Sequence, residues 1–495
     1  MNKKFEEIIA EQGRLVYTNV GDSMNPVIRE GNLLVIEAVK KPLKVGDVPL
    51  YKRDSGQYVL HRIVKIKNGK YMMKGDNRDF IEKGITDRHI IGVLTQIVRD
   101  GRTFPVETPE EYFRRMTMDM VYLVSCAVNT EKPDYERVEA LDLRGILSLS
   151  QKHMLSAAVA FALEKTIPLP YAFDQVKKNA IRKLTLFEVE RAVITRELES
   201  KGIRYLPLKG SLLKDDYPKS AMREMTDIDI LVDSSRMDEV KQIMLRLGYS
   251  GGDYQKDHDV VFTKPPSLVF EMHNRLFDKE SHPLYAAYFQ SVWERAIPIQ
   301  GTQYGYRMTD EDFYVYLICH IYKHYQYTGT GLRSLLDVFV FYKKHGDALD
   351  IAYRDAELKK LKLTAFERGI HTLADKVFTG SDLSQKEKAE LEHFAGSGVF
   401  GTEKSAVQYR VSKYYKKDGG KKSVWNYYFR RAFVLSEKDL EKYFPFFYRH
   451  KFLLPALPVY RLAKGVVRHP KRLVSEYKAV KHFAPSDSDV NKSIK

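Results

Sequence analysis

The sequence predicts a multidomain chain: an N-terminal all-β domain over residues 1–100, an α/β core with a helical surround over residues 110–380, and a basic, aromatic, helical extension over residues 381–495. Three observations predict it. The first hundred residues are short apolar runs divided by glycine turns, the pattern of small antiparallel strands. Further on, a Gly-Ser turn at Gly210-Ser211 precedes a strand that carries Asp227 and Asp229 on alternate positions. The formal charge of +16 is concentrated near the end, because residues 404–481 hold 20 Lys or Arg against 5 Asp or Glu.

The β domain reads in order as Gly21-Asp22-Ser23-Met24-Asn25-Pro26, Gly31-Asn32-Leu33-Leu34-Val35-Ile36, Val45-Gly46-Asp47-Val48, Val59-Leu60-His61-Arg62-Ile63-Val64 and Lys74-Gly75-Asp76-Asn77. From about Val16 to Val98 this series resembles the signal-peptidase-like serine peptidases. The resemblance implies Ser23 as nucleophile and His61 as base, where the archaeal and endoplasmic-reticulum type carries histidine and the common bacterial type lysine. It also implies Asp76 or Asp79 as the acid that orients the base. A serine hydroxyl needs an adjacent base, and a carboxylate fixes the tautomer of that base and stabilises the imidazolium it becomes. What is missing is a membrane anchor: no run approaches the roughly 18 apolar residues of a spanning helix. Met1-Asn2-Lys3-Lys4-Phe5-Glu6-Glu7 has neither the apolar stretch nor the cleavage site of a secretory signal. The expected location is the cytoplasm. The β domain is then either a soluble peptidase acting on a peptide precursor or a module that binds peptide without cutting it.

The second region begins with helices. Pro109-Glu110-Glu111-Tyr112 opens a stretch of helical apolar spacing that runs to about Glu199, with proline at a helix start. In Thr226-Asp227-Ile228-Asp229-Ile230-Leu231-Val232 the alternation of a strand puts both aspartates on one face and the isoleucines on the other. Two close carboxylates repel unless a cation sits between them, and Mg²⁺, a hard oxygen-seeking ion often shared with phosphates, suits the position. In Leu206-Pro207-Leu208-Lys209-Gly210-Ser211, Gly210 opens a short helix to Tyr217 whose N–H groups a phosphate could approach, with Lys209 as a nearby charge. Val260-Val261-Phe262-Thr263 and Leu268-Val269-Phe270-Glu271-Met272-His273 form a hairpin, and Glu271 is the candidate third carboxylate that helps activate an attacking hydroxyl. This order of parts resembles the DNA polymerase beta nucleotidyltransferase superfamily, and more closely the group with the motif LKG…Y…R…DIDILV…E.H, over about residues 187–350. The resemblance implies Asp227, Asp229 and Glu271 as Mg²⁺ ligands, an NTP substrate, and Lys209, Gly210 and Ser211 around its triphosphate. It also sets the following helices beside the cleft, with Arg333 within reach of a phosphate. The interval from Ser211 to Asp227 is longer than in the most compact members.

After the core, residues 310–325 read as a helix with His320 and His324 on one face, four apart. No Glu follows the first histidine as a zinc protease requires; packing, substrate contact and metal binding remain as readings. Arg333 and Asp337 have the spacing of a surface ion pair. Cys126 and Cys319 are expected as buried thiols. In residues 404–481 the cations alternate with aromatics such as Tyr414, Trp425, Phe429 and Tyr443. Such a segment suits an anionic membrane surface, a nucleic acid, or a solvated helical face. The chain is thus expected to be an Mg-dependent nucleotidyltransferase with a fused peptidase-like module, and a peptide or protein is one candidate acceptor. The alternatives are a soluble Ser/His peptidase and a non-catalytic peptide- and nucleotide-binding scaffold.

Overall fold

The computed structural model describes residues 3–256, 259–399, 401, 440 and 444–468. The chain divides into two compact units, Met1–Met120 with Tyr135–Leu149, and Val121–Asp134 with Ser150–Lys495.

The first unit is mostly β. Its strands are β1 (Arg14–Thr18), β2 (Leu33–Glu37), β3 (Pro49–Lys52), β4 (Tyr58–Leu60), β5 (Arg62–Lys67), β6 (Lys70–Lys74), β7 (Glu82–Ile85), β8 (Ile90–Arg99) and β9 (Arg102–Phe104). One sheet runs β1-β2-β8-β3-β4, with β9 paired to β8, and a second runs β5-β6-β7. All these pairs are antiparallel. The strands follow the period-two rule: in β2, Leu34 and Ile36 are fully buried while Leu33 faces out. Tyr51, Ile63, Tyr71, Met73 and Ile85 make the core shared by β3, β5, β6 and β7, and His61 lies between β4 and β5, two residues before Ile63 of this core.

From Pro109 onward helices take over, as the apolar spacing predicts. In the second unit, β10 (Tyr205–Pro207), β11 (Ile228–Val232), β12 (Ser250–Lys256), β13 (Asp259–Lys264) and β14 (Leu268–His273) form one sheet in the order β10-β11-β14-β13-β12. Only the central pair, β11 with β14, is parallel. One sheet face is covered by Phe187, Ile194 and Leu198 of the Tyr171–Ser200 helix and by Val240, Ile243 and Met244 of the Met237–Arg246 helix. These pack on Ile228, Ile230, Phe270 and Met272. At about 1.5–3 kcal/mol for each large apolar side chain removed from water, this layer anchors the odd-even phase of β11. Asp227 and Asp229 are thereby turned to the opposite face, because neither can exchange places with a buried isoleucine.

The helices Asp310–Tyr327 and Leu332–His345 follow. Thr309 caps the first, its hydroxyl accepting the Asp312 N–H, and Asp310, Glu311 and Asp312 lie in the first turn, where acidic charge favours the helix dipole. Cys126 and Cys319 are buried and free. Most of the basic segment at residues 404–481 lies outside the described residues. Within it, Pro445–Arg449 and Leu457–Arg468 are helical, and proline starts the first. No helix among the described residues is long and apolar enough to cross a membrane.

Candidate active sites

In the parallel pair of β11 and β14, Asp229 stands directly beside Glu271. Asp227, two residues before Asp229, adds a third carboxylate at the strand entrance, and all three line an open cleft of about 250 Å³. The expected hairpin, Asp259–Lys264 with Leu268–His273, is what delivers Glu271. The same hairpin brings His273, whose Nε2 lies 2.8 Å from Asp229 Oδ1 and 3.7 Å from Glu271 Oε2. Ligand atoms of Asp229, Glu271 and His273 lie within 4.8 Å of one another.

The environments of these acids differ. Burial raises the affinity of Asp229 for a proton, but the Lys209 ammonium, 2.6 Å from Oδ1, and the His273 contact outweigh it and hold the group well below the usual carboxylate range. Glu271 has no such donor; burial and the negative charge of Asp229 push it up to about 7. Asp227 is raised too, by burial first and then by Asp229. Three carboxylates that share one cation lack charge balance, and a hard divalent ion fits the oxygen-rich donor set.

The phosphate cradle expected at residues 209–211 is built differently. Ser211 is buried and its hydroxyl donates to the Leu208 carbonyl at 2.7 Å, so its side chain is turned into the fold and away from the cleft. Gly210 does line the cleft, but the room left by its missing Cβ is taken by the Arg223 guanidinium, with which any side chain at 210 would collide. Lys209 reaches Asp229 from a backbone conformation of φ 48° and ψ −121°, a region sparsely populated by residues other than glycine. Its ammonium is committed to the carboxylate, which corrects the expectation of a free charge near phosphate.

The helices Asp310–Tyr327 and Leu332–His345 supply the opposite wall, including His320, His324 and Arg333. His320 and His324 stack edge to face at 4.6 Å, and burial, followed by the charge of Lys209, keeps His320 neutral. Arg333 and Asp337 do not form the expected surface pair. Asp337 is buried and accepts two hydrogen bonds from Arg223, at 2.8 and 2.9 Å, and one from the Tyr217 hydroxyl at 2.7 Å. Arg333 instead donates through Nη1 to the Glu224 carbonyl at 2.9 Å and to the Met154 sulfur at 3.0 Å, and it lines the cleft. Burial, then the neighbouring Arg223, lowers its proton affinity.

In the first unit, Ser23 and His61 flank one glycine. A Cβ on Gly75 would lie 2.7 Å from the Ser23 carbonyl oxygen and 3.1 Å from His61 Nε2. The Asn77 N–H donates to that Ser23 carbonyl at 2.8 Å, and Arg78 pairs with Asp22, so the two loops are tied together beside the histidine. The orienting acid differs from the expectation. Asp76 is held by Arg62 in a buried two-point ion pair at 2.8 and 2.7 Å, and Asp79 is exposed. The group beside His61 Nδ1 is the Tyr51 hydroxyl at 3.3 Å, which donates to Glu82 at 2.8 Å. Because that proton goes to Glu82, the Tyr51 oxygen is an acceptor for Nδ1–H, and the lone pair falls on Nε2, the nitrogen toward Gly75 and Ser23. Burial lowers the His61 pKa, so the ring is neutral at pH 7.

Residues 139–379 match the model of a family described as uncharacterised nucleotidyltransferase, and residues 5–95 match a Peptidase S24-like model. The chain is a fusion of these two domains. No curated protein and no solved structure matches it. In the nucleotidyltransferase domain, sequence reasoning missed Arg223 and left His273 without a role. The only signal for Arg223 was its place between Tyr217 and Asp227, and its partner Asp337 lies 114 residues away. In the S24-like domain it missed Tyr51 and Glu82, which look like an ordinary strand aromatic and a loop-edge acid until β3 and β7 bring them together.

Proposed function

We propose that the nucleotidyltransferase domain moves a nucleoside monophosphate from an NTP to an acceptor, with Mg²⁺ or a related divalent ion. The observation that carries this reading is the parallel register of Asp229 with Glu271, with Asp227 two positions earlier, all three on one open cleft. Asp227, Asp229 and Glu271 would hold the cation, which when bound neutralises triphosphate charge and polarises the α-phosphoryl group. Arg333, which lines the cleft, orients phosphate oxygens. Glu271, pushed up to about 7, takes the proton from the acceptor. The acceptor oxygen bonds to the α-phosphorus, the α–β bridge breaks, and pyrophosphate leaves. Incubation of the purified chain with α-labelled NTPs, divalent cation and cell extract, followed by location of the label, tests the proposal. Label transferred by wild type and not by Asp229→Asn is the expected outcome; equal transfer by both would refute it.

A second reading, peptide hydrolysis by the S24-like domain, draws support from the Glu82–Tyr51–His61 order, which leaves the lone pair on Nε2, the nitrogen beside Gly75, and Gly75 also abuts the Ser23 backbone carbonyl. Ser23 would attack a carbonyl carbon while His61 takes its proton. Covalent labelling by a fluorophosphonate of wild type and not of Ser23→Ala is the expected outcome.

A further inference from the structure

We propose that His273 is a ligand of the catalytic cation, and that the site for this reason selects Mn²⁺, or another first-row ion that accepts nitrogen, over Mg²⁺. The inference rests on the nucleotidyl-transfer reading above.

Geometry comes first. Two cis ligands of an octahedral ion with bonds near 2.1 Å are about 3 Å apart, and two trans ligands about 4 Å. His273 Nε2 is 2.8 Å from Asp229 Oδ1 and 3.7 Å from Glu271 Oε2, both within that range. An imidazole placed only to support Asp229 could sit anywhere behind the carboxylate; this one lies on the same face as Glu271, two residues along β14, and lines the cleft.

A second observation lies beside the ring. On β13 the antiparallel register sets Asp259 directly opposite His273; both are buried and both line the cleft. The imidazole thus stands among carboxylates on the cleft face, with a ring nitrogen within 4.8 Å of ligand atoms of both Asp229 and Glu271.

The chemical consequence is metal identity. Mg²⁺ takes hard oxygen ligands and gains little from imidazole, whereas affinity for nitrogen rises along the first-row series from Mn²⁺. A cleft with Asp227, Asp229 and Glu271 alone would serve Mg²⁺; the added nitrogen donor moves the preference.

Mn²⁺ binding to the full chain is measured by electron paramagnetic resonance, Mg²⁺ binding by calorimetry, and the bound Mn²⁺ is examined by pulsed resonance for coupling to ¹⁴N. The expected result is ¹⁴N coupling in wild type, Mn²⁺ bound about tenfold or more tightly than Mg²⁺, and loss of both features in His273→Gln. Bound Mn²⁺ without ¹⁴N coupling in wild type overturns the proposal whether or not the variant folds, and leaves nucleotidyl transfer standing. An unchanged Mn²⁺-to-Mg²⁺ ratio in a folded His273→Gln overturns it in the same way. Failure of wild type to bind any divalent ion overturns both readings.

Discussion

Replacing Glu271 by glutamine should make the nucleotidyltransferase domain more stable at alkaline pH, although it removes a residue placed in the site. In the unfolded chain this carboxyl ionises near 4.5, and in the folded chain burial beside Asp229 pushes it up to about 7. Between those values the native state binds the extra proton, so stability falls as pH rises, by about 1.4 kcal/mol per unit at most. Over the window the loss approaches 3 kcal/mol. The side chain keeps 25% of its surface exposed, and solvent screening reduces the figure to between about 1 and 3 kcal/mol. Glutamine has nearly the same shape and no charge, so the variant escapes this loss. Trp293 belongs to the second unit, and its fluorescence therefore follows that unit's unfolding. Urea titrations with EDTA present should show the variant and wild type nearly equal at pH 5 and the variant more stable at pH 8. A variant less stable at pH 8, or a difference unchanged between the two pH values, would refute the account of Glu271 as a buried acid strained by Asp229.

Four further outcomes are expected. Gly210→Ala should displace the Arg223 guanidinium from Asp337 and cost about 3–5 kcal/mol, as breaking a buried pair does; an unchanged urea midpoint would show that Arg223 can move freely. Arg333→Met should raise the dissociation constant for ATP by about tenfold or more, the loss of one charge-assisted contact, read by equilibrium dialysis with Tm unaltered. In the S24-like domain, Tyr51→Phe should slow fluorophosphonate labelling of Ser23, while Asp76→Asn should lower Tm through the unpaired Arg62 and leave labelling of the folded fraction intact; the reverse pattern would restore Asp76 as the orienting acid. Since burial holds His61 below its ordinary 6.5, the midpoint of the fall in labelling rate with falling pH should lie below 6.5, as the base becomes protonated.

What the sequence disclosed and what it hid divide along chain distance. The phase of Ile228, Ile230 and Val232 against Asp227 and Asp229 is a property of seven consecutive residues, and the hairpin that carries Glu271 spans little more. Local periodicity is sufficient for both, and the structure has the strands where the pattern sets them. The errors fall where a nearby partner looks sufficient and a distant one wins. Arg333 and Asp337 have helix spacing, yet Arg223 reaches Asp337 from 114 residues away because an Asp that deep needs a bidentate partner. Asp76 is the acid that the family resemblance assigns to His61; Arg62, the residue next to His61, captures it. Ser211 looked like a phosphate ligand because serine after glycine often is one. Its hydroxyl had a backbone carbonyl three residues earlier, and a buried donor takes the closest acceptor.

The contrast between Asp229 and Glu271 follows from this same geometry. Two adjacent strands in parallel register bring identical chemistry side by side, and like charges so close cannot both ionise at little cost. Lys209 breaks the tie. From its constrained backbone position it bonds to Asp229 and not to Glu271, so one acid is kept ionised and its neighbour is driven toward neutrality. A left-handed conformation at a non-glycine residue costs on the order of 1–3 kcal/mol. The strain is accounted for by what it accomplishes: paired acids with proton affinities pushed apart are the arrangement in which one can hold charge while the other moves a proton. Removing Lys209 should therefore bring the two acids closer in behaviour. Lys209→Met is expected to raise both acids, and Asp229 more than Glu271, because the Lys209 charge lowers both while its hydrogen bond goes to Asp229 alone, visible by carboxyl-carbon NMR titration of the two residues; titrations that stay as far apart as in wild type would place the asymmetry elsewhere, in His273 alone.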